Sequence, residues 1–243
     1  MKFAVISDIH GNLEAFQAVL RDIEARQTDR IISLGDFIDY GPNPNEVTFE
    51  LIHNFIPSIL GNHEYALTND YILRSFSRVA YDSMQITRSL LSDIVLEYID
   101  TLPLFLIIEN IRFVHGVPPN SALEYISQFP TLILSYVFES FPERIAFVGH
   151  THTLGLYTYN GDSVTFSPIH EGNITLDSTK RHIVNAGSVG QPRDRDKHAK
   201  YVIYDTDTDN LQVRYVSYNV QETVKKIRRA GFPDYNATRL LEQ

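Results

Sequence analysis

The chain has 243 residues, 43% of them hydrophobic and 21% charged, a globular balance that excludes a disordered or low-complexity protein. Its 21 basic and 30 acidic side chains leave a net charge of −9, which argues against long nucleic acid or an anionic membrane as a partner. Cysteine is absent, so disulfides, thiolate metal sites and cysteine-nucleophile chemistry are excluded.

At about 150 residues per domain the length fits one or two domains. No linker or repeat interrupts the chain, so the expectation is a single domain over 1–243. Phe3-Ala4-Val5-Ile6 is too short for a signal-peptide core, and no apolar stretch approaches the ~18–20 residues of a membrane helix. A cytoplasmic location is expected.

In chain order, Lys2 to Ser7 predicts a buried strand. Leu13, Phe16, Leu20 and Ile23 then recur at helical spacing, with Asn12 placed to cap them. A strand over Ile31–Leu34, a helix over Glu46–Asn54 and a third strand over Ile56–Leu60 complete a β-α-β-α-β alternation. That alternation implies parallel strands with right-handed crossovers. From Tyr65 to about Leu102 the pattern is helical, with Ser92 placed to cap the last part, and reads as an insertion over one edge. Strands resume at Leu104–Ile108, Arg112–Val114 and Ile145–Val148. A hairpin follows over Leu154–Tyr159 and Val164–Ser167, turning at Asn160-Gly161. Lys200–Tyr204 and Leu211–Val216 form another pair, with Asp205, Asp207 and Asp209 in its turn. The last predicted helix is capped by Asn219 and Glu222, closes with Lys225, Lys226, Arg228 and Arg229, and stops at Gly231.

The polar residues at the strand ends carry the chemistry. Asp8-Ile9-His10, Gly35-Asp36-Phe37-Ile38-Asp39, Gly61-Asn62-His63-Glu64, Val114-His115-Gly116 and Gly149-His150-Thr151-His152 each end a predicted strand. In α/β sheets such ends form the ligand crevice. Residues i and i+2 of an extended segment share a face, which would aim Asp8 with His10 and His150 with His152 into one pocket. Each pattern alone is common by chance. Five in this order point to a shared metal site. His53, His170, His182 and His198 lack such a context and read as ordinary histidines.

This series resembles the calcineurin-like metallophosphoesterase superfamily. Gly35 to Pro44 (GDFIDYGPNP) and Asn185 to Asp194 (NAGSVGQPRD) are similar to its bacterial and archaeal phosphodiesterase-like branch. The resemblance implies a four-layer α/β/β/α sandwich of two packed mixed β-sheets flanked by helices. It also implies hydrolysis of a small phosphodiester or nucleotide-type phosphate ester. By motif, one metal would take Asp8, His10, Asp36 and His152, and the second Asp36, Asn62, His115 and His150. Carboxylate, imidazole and amide ligands without sulfur suit Mn²⁺, Fe, Zn²⁺, Co²⁺ or Ni²⁺, with Mn²⁺ favoured, better than Mg²⁺ or Ca²⁺. Two such ions ~3.5–4 Å apart share a water, lower its pKa and aim it in line at phosphorus. The resemblance leaves His63 off the metals as general acid, with Asp39 orienting it.

The chain departs from the G-D-x-x-D-R-G pattern of phosphoprotein phosphatases, because Tyr40 stands in the arginine's place. A bidentate phosphate clamp is thereby lost. Arg193 is a candidate cation from elsewhere, against a plainer reading in which it pairs with Asp194 or Asp196. Three functional alternatives stand beside the main one. They are a symmetrical dinucleoside tetraphosphate hydrolase, a nuclease of the same fold disfavoured by the charge, and a non-catalytic protein-binding scaffold.

Overall fold

A computed structural model describes residues 1–241. Its strands form two mixed sheets. The first has five strands in the order β2 (Arg30–Ser33), β1 (Lys2–Ile6), β10 (Ala199–Asp205), β11 (Asn210–Val216), β8 (Gly172–Thr175). The second has six, β3 (Phe105–Ile108), β4 (Ile111–Val114), β5 (Ile145–Val148), β9 (Arg181–Ala186), β6 (Leu154–Tyr159) and β7 (Val164–Ser167). β1 and β2 run parallel, as do β4, β5 and β9; the remaining pairings are antiparallel.

Strand alternation builds the layers. Phe3 and Val5 of β1 and Val202 and Tyr204 of β10 meet Phe113, Phe147 and Val184 between the sheets. The intervening Ala4, Ile6, Tyr201 and Ile203 face the opposite way, against Phe16 and Val19 of α1 (Leu13–Ala25). On the second sheet, Ala146, Val148 and Ile183 bury Leu134 and Phe138 of α7 (Thr131–Glu139). The result is the four-layer sandwich, with period-2 strands sending alternate side chains into two cores.

Between β2 and β3 lie α2 (Pro44–His53), α3 (Asn62–Thr68), α4 (Asp70–Arg74), α5 (Arg78–Leu90) and α6 (Asp93–Asp100). Helices α8 (Val220–Arg229) and α9 (Asp234–Leu241) close the described chain. Asn12 and Asn219 cap α1 and α8 with their side-chain oxygens, as the sequence predicts.

Several expectations need correction. Residues 56–60 form no strand; only an isolated bridge joins Ser58 to Ser33. Pro57 has no N–H to donate, and Leu60 N–H turns away to Pro103 O at 2.8 Å. The third motif therefore opens helix α3 instead of ending a strand, and the helical region starts at Asn62. Ser92 stands at the N-cap of α6 but makes no capping bond. Gly231 does stop α8, yet α9 follows it. Strands β8 and β9 and helix α7 lie outside the elements read from the sequence.

Candidate metal centre

Asp8 and His10 follow β1, Asp36 follows β2, His115 follows β4, and His150 and His152 follow β5, while Asn62 and His63 open α3. Backbone bonds lash these loops together. His10 N–H donates to Asp36 O at 2.9 Å, Gly149 N–H to His115 O at 2.8 Å, and Gly190 N–H to Asp8 O at 2.9 Å. Glycine is required where the loops touch: a Cβ on Gly149 would lie 1.9 Å from Ser7 Oγ, and one on Gly61 2.1 Å from Asp36 Oδ1.

The loops are not extended. Asp8, His10, Asp36, Asp39, Tyr40, His150 and His152 all adopt left-handed backbone, with φ between 49° and 68°. The i, i+2 argument from extended strands is therefore the wrong reason for a convergence that does occur. Each chain leaves its sheet in a tight turn, and the turn aims the side chain.

Two clusters result. Asp8, His10, Asp36 and His152 bring ligand-type atoms within 4.8 Å of one another, and so do Asp36, His115 and His150. Asn62 Oδ1 adjoins the second cluster, 3.0 Å from His115 Nε2. Each aspartate divides its oxygens. Asp36 Oδ1 accepts from His63 N–H at 2.9 Å and Asp8 Oδ2 from His150 N–H at 3.0 Å. Asp36 Oδ2 and Asp8 Oδ1 are buried without a hydrogen bond.

The imidazoles point the same way. Backbone carbonyls hold the outer nitrogens: His10 Nδ1 on Ile38 O at 3.0 Å, His115 Nδ1 on Leu34 O at 2.7 Å, His152 Nδ1 on Gln191 O at 2.6 Å and His150 Nε2 on Leu123 O at 3.2 Å. With a proton on each outer nitrogen, the inner ones carry lone pairs. His10 Nε2 and His152 Nε2 then face each other at 3.2 Å, as do His115 Nε2 and His150 Nδ1. Lone pairs converging on two unsatisfied carboxylate oxygens fit a divalent cation.

His63 stands apart. Its Nδ1 bonds Asp39 Oδ2 at 2.7 Å, and its Nε2 lies 3.9 Å from Asp36 Oδ2. Asp39 Oδ1 accepts from Ser83 Oγ at 2.7 Å and Thr87 Oγ1 at 2.9 Å, both on α5. The Tyr40 ring packs 4.7 Å from both His10 and His63. These groups meet a cavity of about 370 Å³ lined by Tyr40, Asn62, His63, His150 and Arg193, and on its far wall by Ile72, Phe76 and Ala80 of the helical region. Lys200 takes Asp194 at 2.6 Å and Asp196 at 3.5 Å, so Arg193 forms no ion pair among the described residues and its Nε is buried without a partner.

The calcineurin-like phosphoesterase family matches this chain over residues 1–165. The chain belongs to that family. It is 37% identical to an uncharacterized protein of Methanocaldococcus jannaschii, covering 98% of this chain and 96% of the other. A metallophosphoesterase from Sphaerobacter thermophilus is 34% identical, with 99% of each chain covered and a TM-score of 0.84. A hypothetical protein from Pyrococcus horikoshii shares the fold, with a TM-score of 0.77 at 19% identity over 98% of this chain and 97% of that one. The protein is accordingly a hydrolase of phosphate esters.

The charges of this phosphoesterase suit cation binding. Burial, with His63, pushes His10 well below the ordinary histidine range, and burial, with Arg193, does the same to His152. Burial and the nearby His115 take His150 down to about 3. All three keep their lone pairs at neutral pH. Burial opposes ionisation of Asp36, but His115 and His63 outweigh it and hold that carboxyl well below its usual range. Burial raises Asp8 to about 6 against the pull of His115. Against burial, Asp36 raises His115 to about 9. Burial likewise opposes the charge on His63, yet Asp36 and Asp39 raise it. Burial pushes Tyr40 up, leaving its hydroxyl a donor.

Three residues escaped the sequence reading, and Glu64, named there within its motif, was given no role. Glu64 is fully buried and accepts from the N–H groups of Asp36, Phe37, Ile38 and Gly61 at 2.8–3.2 Å. Its signal was a carboxylate three residues after Gly61, a capping arrangement. Ser83 and Thr87 share the buried face of α5 with Ala80 and Met84, and a polar pair on an apolar stripe was their signal. Arg239 lines the cavity from α9 and had no local signal.

Proposed function

We propose that the 243 residues act as one cytoplasmic metallophosphoesterase unit that hydrolyses a small phosphodiester or nucleotide-type phosphate ester with two divalent transition-metal ions, Mn²⁺ favoured. The observation that carries this reading is the sharing of Asp36 between two imidazole–carboxylate clusters, beside a cavity that His150 and Asn62 line. Asp8, His10, Asp36 and His152 would hold one ion, and Asp36, Asn62, His115 and His150 the other. Bound there, the ions supply Lewis acidity toward a phosphoryl oxygen and acidify water.

The chain's own groups do the rest. Arg193 and the Tyr40 hydroxyl stand at the cavity to orient phosphoryl oxygens, in place of the missing clamp arginine. His63 presents Nε2–H beside the cluster, with Nδ1–H fixed on Asp39, and gives its proton to the departing alkoxide. A volume of about 370 Å³ admits a nucleotide-sized ester.

The test is turnover of bis-p-nitrophenyl phosphate, p-nitrophenyl phosphate and dinucleoside polyphosphates with Mn²⁺, Ni²⁺ or Mg²⁺. Mn²⁺-dependent cleavage of the small diester, abolished by chelator, is the expected result. Cleavage that persists without metal, or a preference for phosphoprotein, would contradict the reading.

A further inference from the structure

The cavity wall departs from the charge balance of the chain. Against 30 acidic and 21 basic side chains overall, the lining holds Arg193 and Arg239 and no carboxylate among the described residues. Arg112 pairs with Glu143, Arg214 with Asp22 and Arg228 with Asp234. Arg239 is instead held by neutral groups. Its Nη1 donates to Gln191 Oε1 at 2.9 Å, its Nη2 to Tyr235 Oη at 2.7 Å, and the guanidinium lies 4.5 Å from the Tyr235 ring centre. A guanidinium fixed by neutral partners keeps its whole charge, and the three N–H donors those two bonds leave over, for an incoming phosphate.

Gln191 relates this cation to the metal centre. Its backbone oxygen accepts from His152 Nδ1 at 2.6 Å while its side chain accepts from Arg239. Arg239 is therefore linked to His152 through one residue, and it lines the cavity that His150 and Asn62 also line. Helix α9 is firmly seated. Buried Asn236 donates to Tyr40 O at 3.2 Å and Ser83 Oγ at 3.1 Å, and Ala237 and Leu240 pack with Val224 and Ile227 of α8.

We infer that Arg239 is a specificity-determining residue that binds a second phosphate of the substrate, so that the favoured esters carry one phosphate over the metal clusters and another at α9. This rests on the phosphoesterase function proposed above. Adenosine monophosphate and diphosphate differ only in the second phosphate, and both can be titrated as inhibitors of Mn²⁺-dependent bis-p-nitrophenyl phosphate hydrolysis at fixed free Mn²⁺. In the wild type the diphosphate should bind at least tenfold more tightly than the monophosphate. Arg239→Ala should bring that ratio close to one. Arg239→Gln, which can still bond Gln191 and so preserves the seat of α9, should do the same, while Arg239→Lys keeps part of the preference. A preference that survives Arg239→Gln, or none in the wild type, overturns the assignment. Calorimetric titration of the Mn²⁺-loaded protein yields the same ratio without turnover. A chain that failed to hydrolyse the diester would thus refute the proposed function and still leave Arg239 tested.

Discussion

Asp8 and Asp36 each tie one oxygen to a backbone N–H and leave the other without a hydrogen bond. A buried carboxylate oxygen left so is costly unless a cation meets it. The seven left-handed residues of the motifs add roughly 1–3 kcal/mol of backbone strain each, which the interlocking loop bonds must hold. His63 allows a test at this scale. p-Nitrophenolate departs without a proton, whereas a nucleoside alkoxide needs one. His63→Asn should therefore retain the metals and part of the activity on nitrophenyl esters. On nucleoside esters it should lose about 10²–10⁴-fold, the worth of a general acid. Comparing kcat on both substrate classes, with metal content measured alongside, decides it. An equal loss on both would remove His63 as the acid.

The helical region is tied to the chemistry through α5. Ser83 and Thr87 saturate one oxygen of Asp39 while His63 takes the other, and Asn236 of α9 bonds Ser83 in turn. The Ser83→Ala/Thr87→Val double variant frees that oxygen and lets the carboxylate rotate. It should show the leaving-group dependence of the His63 variant more mildly, about tenfold on nucleoside esters, with metal content unchanged. A uniform fall in activity together with metal loss would mean that α5 serves only stability. The contacts from α5 were not legible locally, because Ser83 and Thr87 lie 44 and 48 residues from Asp39. Elements whose signal is periodic were legible: β5, β6 and β7 fall where their apolar runs and the Asn160-Gly161 turn place them. β9 carries His182 and Asn185 in a buried strand and so breaks the apolar run. α7 mixes β-branched and aromatic residues and buries only Leu134 and Phe138. α9 is short, follows Gly231 and Pro233, and presents a largely polar sequence. The motif residues were legible because each sits within a few positions of its neighbours in a turn. Their aim was not, since Asp8, His10, Asp36, His150 and His152 sit in left-handed backbone.

Across the whole molecule, two sheets bring the loops after β1, β2, β4 and β5 together with the N-terminus of α3, and α5 and α9 wall the cavity from chain segments far apart in sequence. A chain of net charge −9 can hold a phosphate ester there only if cations dominate locally. Two arginines and two divalent ions would make it so. The shared carboxylate of Asp36 is the hinge of this account, and elemental analysis of the Mn²⁺-loaded protein after exhaustive desalting tests it most directly. The wild type should retain two ions per chain, His10→Ala should retain one, and Asp36→Ala should lose both together with turnover. Two tightly held ions in Asp36→Ala, or a wild type that never exceeds one, would contradict the account.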